Sequence, residues 1–291
     1  MPAQSWGMRA EREPDLARFT ERALPYLRRE PVVHTFLLSA LEQVTRYPDR
    51  SPDAAWYLVT GPDGAVAGAG ARTGVHPLAI TPMPDPALDT LADLVAAERP
   101  TVSGVVGPRP HADRFAERWR AGGGEASLRR GMRLFRLDAV TPPPAPDGGG
   151  GLRSAGDLPA HRELFVDWVC RMTMELDGEE AHEPAALVDR LVARQGIWVW
   201  CDGAGEPVSV ASVTLPSHGT ARLGMVYTPK GLRGRGYASA CAAALSQWVL
   251  HTGVTPVLFT DLANPTSNKI YRRMGYRPVG DTSDYVFAPR G

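Results

Sequence analysis

Val226-Tyr227-Thr228-Pro229-Lys230-Gly231-Leu232-Arg233-Gly234-Arg235-Gly236-Tyr237-Ala238 is the stretch on which the reading of this chain turns. An apolar strand runs into a turn carrying Arg-x-x-Gly-x-Ala, and an Ala-rich helix over residues 237–251 follows at once. The glycines at 234 and 236 remove side chains where a loop must bring backbone N–H groups close to something outside it. The helix aims the positive end of its dipole at the same place. Loop and helix start together form a nest for an anion, typically a phosphate or pyrophosphate. A tight strand-to-helix turn also uses glycine for purely structural reasons, and on the loop alone both readings stay open.

Around this stretch the second half alternates helical and extended patterns. Residues 158–174 are helical, with Leu164, Phe165, Trp168 and Met172 on one side, and residues 183–194 form a second helix, with Pro184 in the first turn where proline is tolerated. Strands are expected at 197–201 and 207–215 around the turn 202–206, then at 221–228 and 257–260. A short helix spans 266–274, and residues 276–278 and 285–288 look like a closing antiparallel pair.

The first half follows a similar order. Helices are expected at 15–27 and after Pro31, strands at 56–60 and 65–73 around the turn 61–64, and an extended piece at 77–81. A helix over 86–98, a strand at 102–106, a helix at 112–121 and a strand at 131–140 complete it. Each half thus reads as two helices, a hairpin, a strand, a helix, a strand, a helix and a closing strand. Between them, residues 141–151 hold Pro142, Pro143, Pro144 and Pro146 and then Gly148 to Gly151, stiff and then free, with no anchor for a core. The expected organisation is residues 1–140, a linker at 141–151, and residues 152–291. At the turn equivalent to the glycine loop the first half has Thr81-Pro82-Met83-Pro84-Asp85-Pro86. Three prolines supply no N–H donors, so an anion nest is hard to build there. If the halves are copies, only the second keeps the ligand site.

Composition narrows the classes. The chain has 291 residues, 43% hydrophobic and 22% charged, enough for sizeable cores in an ordinary globular protein. Its 32 basic and 32 acidic side chains cancel, which removes global attraction to nucleic acid or anionic membrane. Cys170, Cys201 and Cys241 form no Cys-x-x-Cys or Cys/His cluster, arguing against a disulfide framework and a structural zinc. Met1 to Gly7 lacks a basic region followed by an apolar core, and no apolar run approaches the ~18–20 residues that span a bilayer. A cytoplasmic protein, a monomer or homodimer, is expected.

With these pieces in place, Arg233-Gly234-Arg235-Gly236-Tyr237-Ala238 resembles the Arg/Gln-x-x-Gly-x-Gly/Ala signature of the GNAT superfamily of acyl-CoA-dependent N-acyltransferases. Downstream, Asn264-Pro265-Thr266-Ser267-Asn268-Lys269-Ile270-Tyr271, followed by Gly275-Tyr276, resembles that family's second signature. The resemblance covers about residues 152–291. It implies an α/β fold with a mixed, mostly antiparallel sheet flanked by helices. The first half resembles the degenerate first domain of tandem members, giving two GNAT-like domains. It also implies acetyl-CoA as donor, with CoA as product and no metal. N–H groups of Arg233, Gly234, Arg235, Gly236, Tyr237 and Ala238 would hold the pyrophosphate, main-chain groups around Val226 and Thr228 the pantetheine arm, and Asn264 and Asn268 the arm further on. One departure is visible: many members have proline three residues before the arginine, whereas here Pro229 stands four before Arg233.

The implied reaction is direct attack of a small-molecule amine on the thioester, an oxyanion held by a strand N–H, and Tyr271 protonating the departing thiolate. Glu175 and Asp261 are candidates to accept the amine's proton. Each has a plainer reading beside it. Tyr271 has apolar neighbours at helical spacing and can be a packed core residue. Asp261 can simply brace the turn before Asn264, and Glu175 sits with Asp177, Glu179 and Glu180 in an acidic stretch that is either solvated or favours a cationic acceptor. Three other functions use the same scaffold: a non-catalytic acyl-CoA-binding module, aminoacyl transfer from charged tRNA, and thioester hydrolysis or decarboxylation. Neutral charge and the intact loop count against the tRNA reading.

Overall fold

The structure, a computed structural model, describes residues 7–98 and 102–288, with the side chains of Arg50 and Asp177 outside that description. Residues 1–6, read above for an export signal, lie outside it as well. The chain forms a mixed α/β sheet with flanking helices, gathered into two compact units. One takes Met1–Leu134, Thr260–Asn264 and Pro278–Gly291, the other Phe135–Phe259 and Pro265–Arg277.

The first unit opens with β1 (Arg9–Glu13), α1 (Leu16–Leu27) and α2 (Thr35–Arg46). Asp15 starts α1, its carboxylate accepting the N–H of Ala17 at 2.8 Å and of Arg18 at 3.2 Å, the usual device for otherwise unpaired first-turn donors. Phe19, Ala23 and Leu27, three or four apart, are the buried face of α1. The hairpin β2 (Ala55–Thr60) and β3 (Val66–Arg72) follows, then β4 (Leu78–Ile80), α3 (Asp85–Ala97), β5 (Gly104–Pro108), α4 (Arg109–Ala121) and β6 (Ala126–Arg136). Neighbouring strands β1 to β4 pair antiparallel, whereas β4 and β5 pair in parallel, Leu78 opposite Val105 and Ala79 opposite Val106. The crossover between these two is α3.

The second unit repeats that order. It contains β7 (Gly151–Ser154), α5 (Arg162–Asp177), α6 (Pro184–Ala193), β8 (Ile197–Cys201), β9 (Pro207–Val213), β10 (Thr220–Tyr227), α7 (Tyr237–His251), β11 (Thr255–Asp261) and α8 (Pro265–Arg273). The strands β7 to β10 pair antiparallel in sequence order, and β10 pairs with β11 in parallel. All seven residues of β9 are buried, between β8 and β10 and under α7. The final two residues of β11 belong to the first unit.

Three expectations are corrected. The closing pair at 276–278 and 285–288 is one continuous strand, β12 (Arg277–Phe287), antiparallel to β5 from Thr282 opposite Pro108 to Val286 opposite Gly104. Gly280, Asp281, Ser283 and Asp284 read as a turn because they are polar. Arg133 holds Asp281 at 2.7 Å and Arg129 holds Asp284 at 2.6 Å, so these residues stay extended. The Pro/Gly stretch 141–151 is ordered along the second unit: Pro146 is buried, the Trp200 indole donates to the Gly149 carbonyl at 3.3 Å, and Gly151 already begins β7. Third, β1 and β7 are strands where none was expected, and β6 starts five residues before the expected 131.

Candidate active site

The site is built on the end of β10. Pairing with β11 stops at Leu223 opposite Leu258, although β10 runs on to Tyr227. On the other side the register with β9 shifts between Gly224 and Tyr227, where Met225 takes a left-handed φ of +47°. A bulge of this kind bends a strand and re-aims its backbone, and a bulky residue at positive φ is held there only by its surroundings. Main-chain groups of Met225 and Val226, between the paired residues Gly224 and Tyr227, are thereby released from the ladder.

Beyond Thr228 the chain makes a 3-10 turn, Lys230–Leu232, in which the Leu232 N–H donates to the Pro229 carbonyl at 2.8 Å. This turn absorbs the extra residue between Pro229 and Arg233. Gly234 and Gly236 then adopt φ of +80° and +84°, the left-handed region that glycine enters without strain. A Cβ at Gly231 or Gly234 would meet no heavy atom within 4 Å among the described residues, so this face of the loop has room for a ligand. Gly236 stands at the start of α7 and brings no side chain to cap it, and the first turn of α7 contains no acidic residue. The donors and dipole of a 15-residue helix therefore lie beside an open glycine loop. That combination fits the pyrophosphate of CoA. Arg235 lies within it, and the Tyr237 hydroxyl donates to the Asp147 carbonyl at 3.3 Å.

Arg233 turns back from the open face. Its Nε donates to the Thr228 carbonyl at 2.8 Å, its Nη2 to Glu175 Oε2 at 2.7 Å, and the guanidinium lies 5.5 Å from the centre of the Tyr227 ring. Glu175, in the last turn of α5, also accepts from the Tyr227 hydroxyl at 3.3 Å and has Lys230 Nζ at 4.0 Å. The Arg233 guanidinium, helped by Lys230, holds the Glu175 carboxyl below the usual carboxylate range. Beneath them the Ser209 hydroxyl donates to the Tyr227 carbonyl at 3.0 Å and receives the Thr228 hydroxyl at 2.9 Å. Sequence reading missed Ser209; its only signal is a hydroxyl in the apolar strand 207–213. Glu175, Met174, Glu180, Tyr227 and Lys230 help to line a cleft of about 760 Å³.

Tyr271 lies on α8 and packs, half-buried, against the same core cluster as Val226 and Trp200. Its ring meets Tyr276 edge-on, centroids 5.6 Å apart. Burial raises its phenol above the ordinary value near 10, so the proton is retained at neutral and mildly basic pH. The Tyr276 hydroxyl, by contrast, is shared with Ser246 at 2.8 Å. Burial also pushes the Cys241 thiol up to about 12, which leaves no thiolate for a covalent mechanism. Asn268 is buried in α8. Asp261 and Asn264 group with the first unit, where the Asp261 carboxylate accepts the Ala263 N–H at 2.7 Å and has Arg130 at 3.6 Å, as a turn-bracing residue does. Among the described residues no cluster of three His, Cys, Asp or Glu side chains is arranged to hold a metal, and no helix is long and apolar enough to cross a membrane.

This geometry has parallels among known proteins. Residues 163–276 match the profile described as the Acetyltransferase (GNAT) family. No curated protein matches the chain. Among solved structures, a Drosophila protein is similar over 98% of this chain and 99% of its own, with 14% identity and a TM-score of 0.66. An acetyltransferase of the GNAT family from Colwellia psychrerythraea is similar over 96% and 98%, with 12% identity and a TM-score of 0.56. A tandem GNAT protein from the clavulanic acid biosynthesis pathway is similar over 96% and 98%, with 14% identity and a TM-score of 0.55. At these identities the likeness is one of fold. Residues 163–276, which contain the glycine loop, the released strand end and Tyr271, thus match the GNAT acetyltransferase family and have its fold, and the activity that match supports for this segment is acyl-CoA-dependent acyl transfer.

Proposed function

We propose that this protein moves an acetyl group from acetyl-CoA to the amine of a small molecule by direct attack, with Tyr271 as general acid. The observation that carries the reading is the open, left-handed glycine loop at the N-terminus of α7, next to a strand end released from its neighbour. The N–H groups of residues 233–238 would hold the pyrophosphate, and main-chain groups around Val226 and Thr228 the pantetheine arm, with Asn264 and Asn268 further along. Acetyl-CoA supplies the activated acyl group. A backbone N–H of the strand end would steady the developing oxyanion. Tyr271 holds a proton at its hydroxyl for the departing sulfur, and burial keeps that proton in place. The cleft at the end of α5, with Glu180 on its wall, is the proposed acceptor site, suited to a cationic amine.

In the same reading, residues 1–140 and 152–291 are two copies of one fold joined by residues 141–151, and the first copy has lost its ligand site. The matching pair of one antiparallel and one parallel neighbour around β4 and around β10 supports it. Calorimetric titration with acetyl-CoA tests both parts. One equivalent bound per chain, with turnover on addition of an amine panel, is expected. Two equivalents would overturn the degenerate copy. No binding of acetyl-CoA, other acyl-CoAs or free CoA would make the loop a structural turn, and binding without turnover or with CoA release lacking an acceptor would point to a binding module or a hydrolase.

A further inference from the structure

The loop from Lys230 to Gly236 holds three glycines in seven residues, and glycines give a loop conformational freedom that must be lost when it closes on a ligand. Its one long side chain fixed at both ends is Arg233. The guanidinium bridges the Thr228 carbonyl, where β10 ends, and Glu175, where α5 ends. Ser209 fixes the strand from below through the Tyr227 carbonyl and the Thr228 hydroxyl. Glu175 thereby joins the last turn of α5, which walls the acceptor cleft, to the start of the cofactor loop.

The groups facing this carboxylate are Arg233, Lys230, the Tyr227 hydroxyl and, along α5, Arg171. Arg233, Lys230 and the Tyr227 donor favour the anionic form, and together they outweigh the desolvation that opposes it. A carboxylate held in this way is a poor acceptor for an ammonium proton. From this placement, and resting on the acyltransfer reading above, we infer that Glu175 is a positioning residue: it pre-organises the cofactor loop through Arg233 and does not take the amine's proton.

The two roles separate in the kinetics of Glu175→Gln, which keeps the shape and removes the charge. As a positioning residue, its loss raises the Kd and KM for acetyl-CoA about five-fold, the scale of a partly exposed charge pair. The kcat at saturation and the acid limb of the pH profile stay where they are. Arg233→Gln gives a similar rise, the double variant rises no further than the larger single effect, and Glu175→Asp recovers part of the loss. Hydrogen exchange of amides 230–238 without ligand should be faster in Glu175→Gln than in the native chain. A kcat lowered a hundred-fold with unchanged Kd, or a displaced acid limb, identifies Glu175 as the base and overturns the inference. Unchanged Kd and unchanged loop exchange overturn it too. If the native chain binds no acyl-CoA, the acyltransfer reading fails by itself, while the exchange measurement still decides whether Glu175 holds the loop.

Discussion

Two turns in this molecule occupy the same place in the order of elements and have opposite contents. Each follows the strand that is antiparallel to one neighbour and parallel to the next, and each leads into the crossover helix. In the second unit the turn is glycine, open and left-handed. In the first it is filled. Met83, 5% exposed, packs so tightly under Gly68 that a Cβ there would lie 2.7 Å from it. The Tyr26 hydroxyl donates to the Pro82 carbonyl at 2.6 Å, and Thr81 receives the Ala69 N–H at 2.9 Å. Pro84 and Pro86 bracket the start of α3 without N–H groups to offer. The topology of the crossover is thus not what makes a ligand site. On the reading proposed above, what makes one is open space at a glycine loop before a helix N-terminus, and the first unit fills that space with packing.

The comparison breaks most sharply if the glycine loop proves dispensable. Gly236→Glu forces a left-handed residue to carry a Cβ, which would lie 3.6 Å from Pro146, and puts a negative charge at the positive end of α7. Acetyl-CoA affinity should fall by about a hundred-fold or more, equivalent to roughly 3 kcal/mol, while circular dichroism shows the fold retained. Native affinity in this variant would mean that the anion binds elsewhere. Tyr271→Phe should act on chemistry alone, lowering kcat by about a hundred-fold with the Kd for acetyl-CoA unchanged. The raised phenol pKa fixes a sign as well. A general acid works while protonated, so kcat should hold as pH rises past 9 and fall only above the ordinary tyrosine value. A basic limb near neutrality would assign the proton to another group.

How far the sequence showed this in advance follows from which interactions are local. The glycine loop and the helix over 15–27 are written within a few consecutive residues, so they were legible. The closing strand was not. Its polar run 280–284 is extended because Arg129 reaches Asp284 across 155 positions, and such a pairing leaves no mark in a window of ten residues. Arg233 was legible as a residue of the loop, and the use of its side chain was not, because its partner Glu175 is 58 positions away. Tyr271 came from a motif, and its burial from the structure.

Two smaller predictions sharpen the contrast from the side of the filled turn. Met83→Ala should destabilise the protein by about 2–3 kcal/mol, because the cavity it leaves beneath β3 cannot collapse onto a glycine without moving the strand. The stoichiometry and affinity for acetyl-CoA should not change, as denaturant titration and calorimetry on the same preparation would show. A new equivalent of acetyl-CoA bound would instead mean that packing alone closes the first site.

The smallest effect is the most specific. Tyr26→Phe removes one hydroxyl and no volume, leaving the Pro82 carbonyl to find another donor. Since an intramolecular hydrogen bond contributes about 1 kcal/mol net, the loss should be of that size, and larger if no water reaches the carbonyl. Burial raises the Tyr26 phenol, so the bond it donates persists into the basic range rather than being lost at the ordinary tyrosine value. Tyr26→Phe and native protein should therefore differ in stability by a constant amount from pH 6 to pH 9. A difference that shrinks across that interval would show that the hydroxyl ionises there, and that solvent reaches a turn which the packing of Met83 and the prolines should keep closed.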